Sequence, residues 1–202
     1  MEFLFSKKRI SMTKVMSDLD RFVFDFCKIL EKEGIRYVVV SGYVAIVFGR
    51  SRNTEDIDIL VERLNFERFE RLWRSLNKRY ECQNTRSVKD AYHDYLMEKS
   101  AIRFSEGKVY VPNFEFKFVK SDIDEYTLDN RIELEVNRRR IYISQLELQI
   151  AYKLKLGSDK DIDDAIFLYG LFKDRIDGRR LDGWIADLAV PVEVLKQFKG
   201  EI

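Results

Sequence analysis

Two short apolar runs, close together in the chain, constrain its fold most strongly. Residues 37–40 read Tyr-Val-Val-Val, a run too short and too β-branched for a helix, and this predicts a buried strand. Residues 57–61 predict a second strand, and residues 43–49 between them predict a short helix. A strand–helix–strand unit of this kind predicts a sheet flanked by helices at the front of the chain.

The rest of the pattern divides the chain into two parts. The front part is expected to contain helices at 17–33 and 65–79, paired strands at 102–104 and 109–119, and a hairpin at 131–136 and 140–143. The back part is expected to contain helices at 145–156, 159–173, 180–189 and 191–199. The predicted class is α/β (α+β), a mixed sheet flanked by helices, followed by a helical C-terminal domain. We place the domains at 1–143 and 144–202.

Composition and charge exclude several classes of protein. Of the 202 residues, 35% are charged, yet the net charge is only +1, which argues against a mainly electrostatic nucleic-acid binder. Cys27 and Cys82 lack the spacing of metal ligands. No run approaches the roughly 18 apolar residues of a membrane span. The basic residues at 7–9 follow the apolar residues near the N-terminus, the reverse of a secretory signal, so we expect a cytoplasmic protein that binds no membrane.

The sharpest chemical signal is a pair of carboxylates at the start of the second strand. Asp56 and Asp58 are two residues apart, so strand alternation places both on one face and turns Ile57 toward the core. Neighbouring carboxylates repel one another unless a cation or a proton intervenes. Oxygen ligands suit Mg²⁺, and two such ions roughly 3.5–4 Å apart would activate a hydroxyl and stabilise a leaving pyrophosphate. A pair that simply starts a strand and faces water is the alternative.

The residues before this pair suit a triphosphate. Ser41 and Gly42 join the first strand to the short helix, where backbone N–H groups at a helix start would face phosphate oxygens. Arg50 and Arg52 supply guanidinium groups, and Thr54 supplies a hydroxyl, just ahead of the acidic pair. These five residues are the predicted nucleotide contacts of this unit.

The segments 41–45, Ser-Gly-Tyr-Val-Ala, and 52–58, Arg-Asn-Thr-Glu-Asp-Ile-Asp, together resemble the signature of the DNA polymerase β-like nucleotidyltransferase superfamily. Within it, the chain looks like the small prokaryotic branch that includes AbiEii-type toxins of toxin–antitoxin systems. That branch favours a Gly-x-x-Ala opening and an Arg-x-Thr-x-Asp-x-Asp close. The commoner superfamily opening is Gly-Ser, where this chain has Ser41-Gly42.

The resemblance implies a third carboxylate on a later strand. Glu115 is the best candidate, because it alternates with Phe114 and Phe116 and so lies opposite an aromatic face. It would act as a metal ligand or as a base. The alternative is an ordinary strand glutamate paired with Lys117 or another neighbour.

The resemblance also implies a helical lysine followed by an aspartate on the next helix. We place the lysine at Lys153, with Lys155 as the alternative position, where it would neutralise triphosphate charge or position the leaving group. We place the aspartate at Asp161 or Asp164, where it would orient the lysine or an acceptor hydroxyl. In the alternative, Lys153 merely extends over the edge of the core. Asp161 would then cap its helix together with Ser158.

The implied reaction is transfer of a nucleoside monophosphate from a nucleoside triphosphate to an acceptor hydroxyl, with Mg²⁺ or Mn²⁺ as cofactor and the site in a cleft between the two domains. The resemblance to toxins implies an RNA 3′ end, such as that of tRNA, or a protein hydroxyl as acceptor, and an antitoxin as partner. The basic turn at 137–140 is either solvated or in contact with RNA backbone. Two alternatives remain, a catalytically inactive nucleotide-binding or regulatory protein and a plain nucleic-acid-binding module.

Overall fold

A computed structural model describes residues 3–202 of the chain. Nine strands form one mixed sheet in the order β1-β2-β8-β9-β3-β4-β7-β6-β5. Their bounds are β1 Phe3–Ser6, β2 Arg9–Met12, β3 Tyr37–Val39, β4 Asp56–Val61, β5 Tyr80–Cys82, β6 Ile102–Glu106, β7 Asn113–Phe118, β8 Ile132–Val136 and β9 Arg139–Ile143. The helices are α1 Asp18–Lys32, α2 Gly42–Val47, α3 Phe66–Leu76, α4 Val88–Asp90 continuing as a π-helix over Ala91–Leu96, α5 Asp122–Asp129, α6 Leu146–Leu156, α7 Asp159–Phe172, α8 Gly178–Asp187 and α9 Val192–Glu201. The predicted class, a mixed sheet flanked by helices with a helical part, is confirmed.

Contacts within the chain define two compact units. The first contains the described residues through Val40 together with Asn53–Ile143, and it holds the whole sheet. The second contains Ser41–Arg52 and Ser144–Ile202. The segment with the short helix α2 thus groups with the C-terminal helices and not with the strands that flank it in sequence. A division into functional domains at 143/144 stays a prediction.

Strand β4 is central to the first unit. It runs antiparallel to β3 and parallel to β7, and its burial alternates as the sequence predicts, with Ile57, Ile59 and Val61 fully buried. On its other face Leu60 packs against a small cluster that includes Val38 and Leu128 of α5. The apolar positions on both faces anchor the strand, and the two aspartates lie at its first and third positions, on either side of the buried Ile57.

An aromatic layer forms much of the core of the first unit. The rings of Phe26 in α1 and Phe114 in β7 stack with centroids 3.9 Å apart, and Phe22 stacks on Phe114 at 4.7 Å. Helix α1 begins with a capping box between Ser17 and Asp20, which satisfies two backbone donors at its start. The core packing locks the orientation of β7 and therefore turns its alternate residues outward.

Several local predictions need correction. The predicted strand 109–119 begins only at Asn113, and the residues from Gly107 to Pro112 form a loop with Val109 and Tyr110 exposed. Strands β1, β2 and β5 and the π-helix were not predicted, because short strands of this kind become ordered through their partners in the sheet.

None of the helices in the described part of the chain has the length and apolar character that a membrane crossing requires. Met1 and Glu2, part of the N-terminal segment considered for a signal, lie outside the described residues.

The second unit is helical. Helix α6 ends at Gly157, which adopts a positive φ of 69° and closes the helix. Phe48, which follows α2, packs edge-on against Phe172 of α7 with ring centroids 4.8 Å apart. These contacts join the segment Ser41–Arg52 to helices that lie about 100 residues further along the chain.

Candidate active-site residues

The aspartate pair lies on the outer face of β4. Asp56 is exposed, and the side chain of Asp58 is 23% exposed. The hydroxyl of Thr54 donates to the main-chain oxygen of Asp56 at 2.9 Å, so Thr54 stabilises the backbone at the start of the strand. Within the described residues of this unit, no cation contacts the Asp56 carboxylate. Asp56 is therefore available to a ligand from solvent.

Glu115 lies directly beside this pair. Strands β4 and β7 are parallel, and their register pairs Asp58 with Glu115 and Asp56 with Asn113. Phe114 and Phe116 are fully buried, so Glu115 emerges on the same outer face as the aspartates. Three sequence-predicted carboxylates are thus brought together on two neighbouring strands.

A lysine lies between two of these carboxylates. The Nζ of Lys117 is 2.8 Å from Oδ1 of Asp58 and 2.7 Å from Oε2 of Glu115. The other oxygen of Glu115 accepts from the guanidinium of Arg103 on β6. Both oxygens of Glu115 are therefore occupied by cations. The pairing with Lys117 that the sequence left open is confirmed, whereas Arg103 was not predicted, because its strand β6 reaches β7 only through the sheet.

These contacts change the proton affinities of the groups involved. Burial alone would raise the pKa of Glu115, but hydrogen bonds and charge from Lys117 and Arg103 outweigh it and hold that pKa below its ordinary value. Burial alone would lower the pKa of Lys117, and the charges of Asp58 and Glu115 outweigh it and raise that pKa. Both groups are thus held in their charged forms at neutral pH.

The donor chemistry suits a metal ion only in part. Asp56 and the second oxygen of Asp58 are hard oxygen donors open to solvent, as Mg²⁺ requires. Glu115 has no oxygen left for a metal while Arg103 and Lys117 hold it. In residues 3–202, no group of three or more histidine, cysteine, aspartate or glutamate side chains is arranged to hold a metal ion. The aspartate pair fits one divalent ion, and the assignment of Glu115 as a third ligand stays a prediction.

In the second unit, a buried glutamine holds the residue that precedes α2. Ser41 adopts a positive φ of 63°, which is strained for a residue with a side chain. Its N–H donates to Oε1 of Gln149 at 3.1 Å, and its carbonyl accepts from Nε2 of the same side chain at 2.9 Å. This N–H, predicted to face phosphate, is therefore already bonded. The contact of Gln149 with Ser41 was not predicted. The one sequence signal for it is a glutamine in a mostly apolar helix.

Gly42 makes room for Arg52. A Cβ at position 42 would lie 1.8 Å from Nη2 of Arg52, so only glycine allows this guanidinium to rest on the backbone. The contact of Gly42 with a triphosphate stays a prediction, and the group that lies against its backbone is a side chain of the same unit.

Lys153 is the centre of a buried ionic cluster. Its side chain is 2% exposed, and Nζ is 2.7 Å from Asp161 and 2.9 Å from Asp164. Asp164 is fully buried, and its Oδ1 lies 2.9 Å from Nε of Arg50 and 3.2 Å from Nε of Arg52. The angles of these two arginine contacts do not meet hydrogen-bond geometry, so they are close ion pairs, whose energy depends mainly on distance. The unit thus gathers all three predicted cations of the nucleotide site around predicted aspartates.

The structure contains neither of the alternative arrangements that the sequence suggested for Lys153 and Asp161. Lys153 does not extend over the core edge, because it is buried and paired. The Ser158 side chain does not cap the backbone of α7; its hydroxyl donates to the carboxylate of Asp161 instead. Asp161 therefore links Ser158 to Lys153. Direct contact of Lys153 with a triphosphate stays a prediction.

The basic turn between β8 and β9 is partly neutralised. Arg139 pairs with Asp25 at 2.5 Å, and Arg140 pairs with Glu31 at 3.2 Å. Both acids belong to α1, so these two arginines attach the hairpin to that helix. The turn consequently offers less free positive charge to RNA than the sequence suggests.

Comparison with known proteins gives structural neighbours only. No protein-family model matches the chain, and no curated protein matches its sequence. An antigenic nucleotidyltransferase-like protein from Paracoccidioides brasiliensis is similar in structure, with a TM-score of 0.59 and 17% identity over 90% of this chain and 91% of that one. ANT(2″)-Ia in complex with adenylyl-2″-tobramycin is also similar, with a TM-score of 0.57 and 11% identity over 86% of this chain and 98% of that one.

A solution structure of the antibiotic-resistance factor ANT(2″)-Ia has a TM-score of 0.54, with 10% identity over 92% of this chain and 100% of that one. At such low identities, the likeness establishes the fold alone. The chain therefore has a nucleotidyltransferase-like fold.

Proposed function

We propose that this protein is a metal-dependent nucleotidyltransferase, which moves a nucleoside monophosphate from a nucleoside triphosphate to an acceptor hydroxyl. The observation that carries the proposal is the position of Asp56 and Asp58. They lie side by side on the outer face of β4, in a nucleotidyltransferase-like fold. Among the described residues of its unit, Asp56 has no cation partner, and the side chain of Asp58 is partly exposed. The carboxylate of Asp56 and the Asp58 oxygen that Lys117 leaves unpaired, both held on a strand, suit the binding of a divalent ion that carries phosphates.

Each group of the chain has a separate task in this proposal. Asp56 and Asp58 hold Mg²⁺ or Mn²⁺, which when bound polarises phosphate oxygens and lowers the pKa of a coordinated hydroxyl. The parallel strands β4 and β7, packed on the aromatic core, keep the two carboxylates in position without reorganisation. The acceptor hydroxyl attacks the α-phosphate, its proton passes to solvent or a nearby base, and pyrophosphate leaves.

The second unit holds the other proposed nucleotide contacts. Arg50 and Arg52 would contact the triphosphate, beside the Ser41–Gly42 turn. In the first unit, Thr54 would contribute through its hydroxyl, which bonds the main-chain oxygen of Asp56. Asp164 acts as a positioning residue, since its Oδ1 lies close to the Nε atoms of both arginines, while Nη2 of Arg50 donates to Asp163 at 3.1 Å. Lys153 neutralises Asp164 and Asp161, so its contribution to phosphate binding passes through these aspartates.

The finer assignment rests on the sequence resemblance. We propose that the chain is a cytoplasmic toxin of the AbiEii-like branch, whose acceptor is an RNA 3′ end or a protein hydroxyl and whose partner is an antitoxin. ANT(2″)-Ia, in its complex with adenylyl-2″-tobramycin, shows that a protein with a similar fold binds an adenylylated small molecule. Small hydroxyl compounds therefore belong among the acceptors to be tested.

A second candidate is a catalytically inactive nucleotide-binding protein of the same fold. One observation favours it: both oxygens of Glu115, the proposed third carboxylate, are held by Arg103 and Lys117. Such a protein would bind triphosphate with a metal ion but would release no pyrophosphate.

One labelling experiment separates these candidates. The full chain is incubated with each α-labelled nucleoside triphosphate, with Mg²⁺ or Mn²⁺, and with total RNA, cell lysate or an aminoglycoside as acceptor. The near-isosteric variants Asp56→Asn and Asp58→Asn are compared with Asp122→Asn, which removes an exposed carboxylate of the same unit. We expect label on one acceptor class with the native chain and with Asp122→Asn, and a loss of at least about 100-fold with either active-site variant.

The outcomes assign the function. Transfer that survives both Asp56→Asn and Asp58→Asn would contradict the proposed site. Metal-dependent triphosphate binding without transfer to any acceptor, and without pyrophosphate release, would favour the inactive nucleotide-binding protein. Binding that falls steeply with salt and ignores both substitutions would favour a plain nucleic-acid-binding module.

A further inference from the structure

We propose that Lys117 is a built-in cation that takes the place of one divalent ion, so that the chain binds a single divalent ion at Asp56 and Asp58. The inference rests on the proposed function, because it concerns the same carboxylates. It departs from the two-ion arrangement that the sequence suggested. Its basis is the side chain found between Asp58 and Glu115, where an ion shared by these carboxylates would have to bind.

The position of Lys117 follows from the sheet. Lys117 is paired with Leu60 in the register of β4 and β7, two residues beyond the pair formed by Asp58 and Glu115. Alternation puts it on the same outer face as Glu115, and its Nζ reaches back to both carboxylates at 2.8 and 2.7 Å. The side chain is 28% exposed, so most of it is held against the sheet. The ammonium is therefore placed by the backbone and does not reach in from a mobile loop.

Charge explains why one ion suffices. Three carboxylates and two divalent ions together carry one net positive charge. The same carboxylates with Arg103, Lys117 and one divalent ion carry that same charge. A second divalent ion added to this cluster would bring the net charge to three positive units, which a half-buried site disfavours.

The carboxylate oxygens that have no cation partner indicate where the remaining ion binds. Lys117 contacts Oδ1 of Asp58, and no described residue of the unit contacts the Asp56 carboxylate. Asp56 and Oδ2 of Asp58 therefore remain for a metal, with water or phosphate oxygens in the other positions. Glu115 then acts on the site through Lys117, as a positioning residue, and does not touch the ion.

Manganese binding to the full chain tests this inference directly. The probe is Mn²⁺ alone, titrated into metal-free protein and followed by the electron paramagnetic resonance signal of free Mn²⁺. The variants are Lys117→Met and Lys117→Gln, which remove the charge, Lys117→Arg, which keeps it, and Lys108→Met, a matched loss of an exposed lysine from the same unit. Circular dichroism and a thermal melt verify that each variant is folded.

We expect one Mn²⁺ per chain for the native protein, Lys117→Arg and Lys108→Met, and two per chain for both charge-removing variants. Two ions on the native protein, abolished by Asp56→Asn, would overturn the inference and leave the proposed function standing. An unchanged single ion in both Lys117→Met and Lys117→Gln would also overturn it. No Mn²⁺ on any folded variant, including the native chain, would contradict the proposed metal site itself.

Discussion

At the scale of single residues, Lys153 is the most consequential side chain of the helical unit. It is 2% exposed and faces two carboxylates, of which Asp164 is fully buried. Removal of one partner of a buried ion pair leaves an uncompensated charge, a larger loss than that of the pair itself. The free energy of unfolding should therefore respond to this residue more strongly than to any surface lysine.

We predict that Lys153→Met lowers the free energy of unfolding by about 3 kcal/mol, because Asp161 and Asp164 lose their shared cation in a buried setting. Urea denaturation at neutral pH measures the change. The control is Lys155→Met on the same helix, an exposed residue whose loss should cost less than about 0.5 kcal/mol. If Lys153→Met unfolds like the native chain but binds triphosphate weakly, Lys153 is a direct phosphate ligand and the structural role is wrong.

Glu115 shows at the same scale how a residue acquires a role from its neighbours. The alternation of β7 is enough to place Glu115 and Lys117 together on the outer face. The contact of Lys117 with Asp58 depends on the pairing of β7 with β4, and the contact of Glu115 with Arg103 depends on the pairing of β7 with β6. A predicted metal ligand therefore becomes a carboxylate with both oxygens bound.

At the scale of elements, Asp25 ties a helix to two separate parts of the sheet. From α1 it contacts Arg79, just before β5, at 2.7 Å and Arg139 of β9 at 2.5 Å. Burial alone would raise the pKa of Asp25, but hydrogen bonds and charge from both arginines outweigh it and hold that pKa below the ordinary value. The ionised form is therefore the one that stabilises the fold.

This contact makes stability depend on pH in a defined direction. A carboxyl whose pKa is lower in the folded chain contributes its full stabilisation above its unfolded pKa of about 3.9, and loses it as the pH falls through the folded value. We predict that Asp25→Asn is less stable than the native chain at pH 7 and that the difference shrinks toward pH 3. Urea denaturation at pH 7, 5 and 3 measures this.

The control is Asp94→Asn, which removes an exposed carboxylate from the π-helix of the same unit. It should follow the native chain at all three pH values. A difference between Asp25→Asn and the native chain that stays constant from pH 7 to pH 3 would show that packing, and not ionisation, is what the substitution removes.

At the scale of the whole molecule, the helical unit is discontinuous in sequence. It contains Ser41–Arg52 as well as Ser144–Ile202, joined by the Phe48–Phe172 ring contact, by Gln149 against Ser41 and by the ion pairs of Asp164. A helical fragment below roughly 70 residues has a marginal core even when it is complete. Loss of the segment Ser41–Arg52 should therefore prevent the helical unit from folding cooperatively.

We predict that the fragment 144–202 alone shows no cooperative unfolding transition, because it lacks the segment 41–52 that covers Phe172 and Gln149. The same fragment with residues 41–52 attached through a flexible glycine–serine linker should regain helical circular dichroism and a cooperative urea transition. A fragment 144–202 that unfolds cooperatively by itself, with the same midpoint as the linked form, would contradict this prediction.

The sequence by itself determined the elements whose signal is local. The period of two along β4 and β7, the helical periods from residue 145 onward and the glycine stop at Gly157 are all set by neighbouring residues, and the structure contains each of them. The outward face of Asp56 and Asp58 follows from the same local rule. The mixed sheet with helices, and thus the fold class, was predictable for this reason.

Only the tertiary structure decided which groups neutralise one another. Lys117 and Asp58 are 59 residues apart, and Arg50 and Asp163 are 113 apart, so no periodicity along the chain links them. The same holds for the segment Ser41–Arg52, which joins the C-terminal helices although strands flank it in sequence. Charge pairing and burial depend on distance in space, and for these residues that distance is set by the sheet register and the helix packing, not by their separation along the chain.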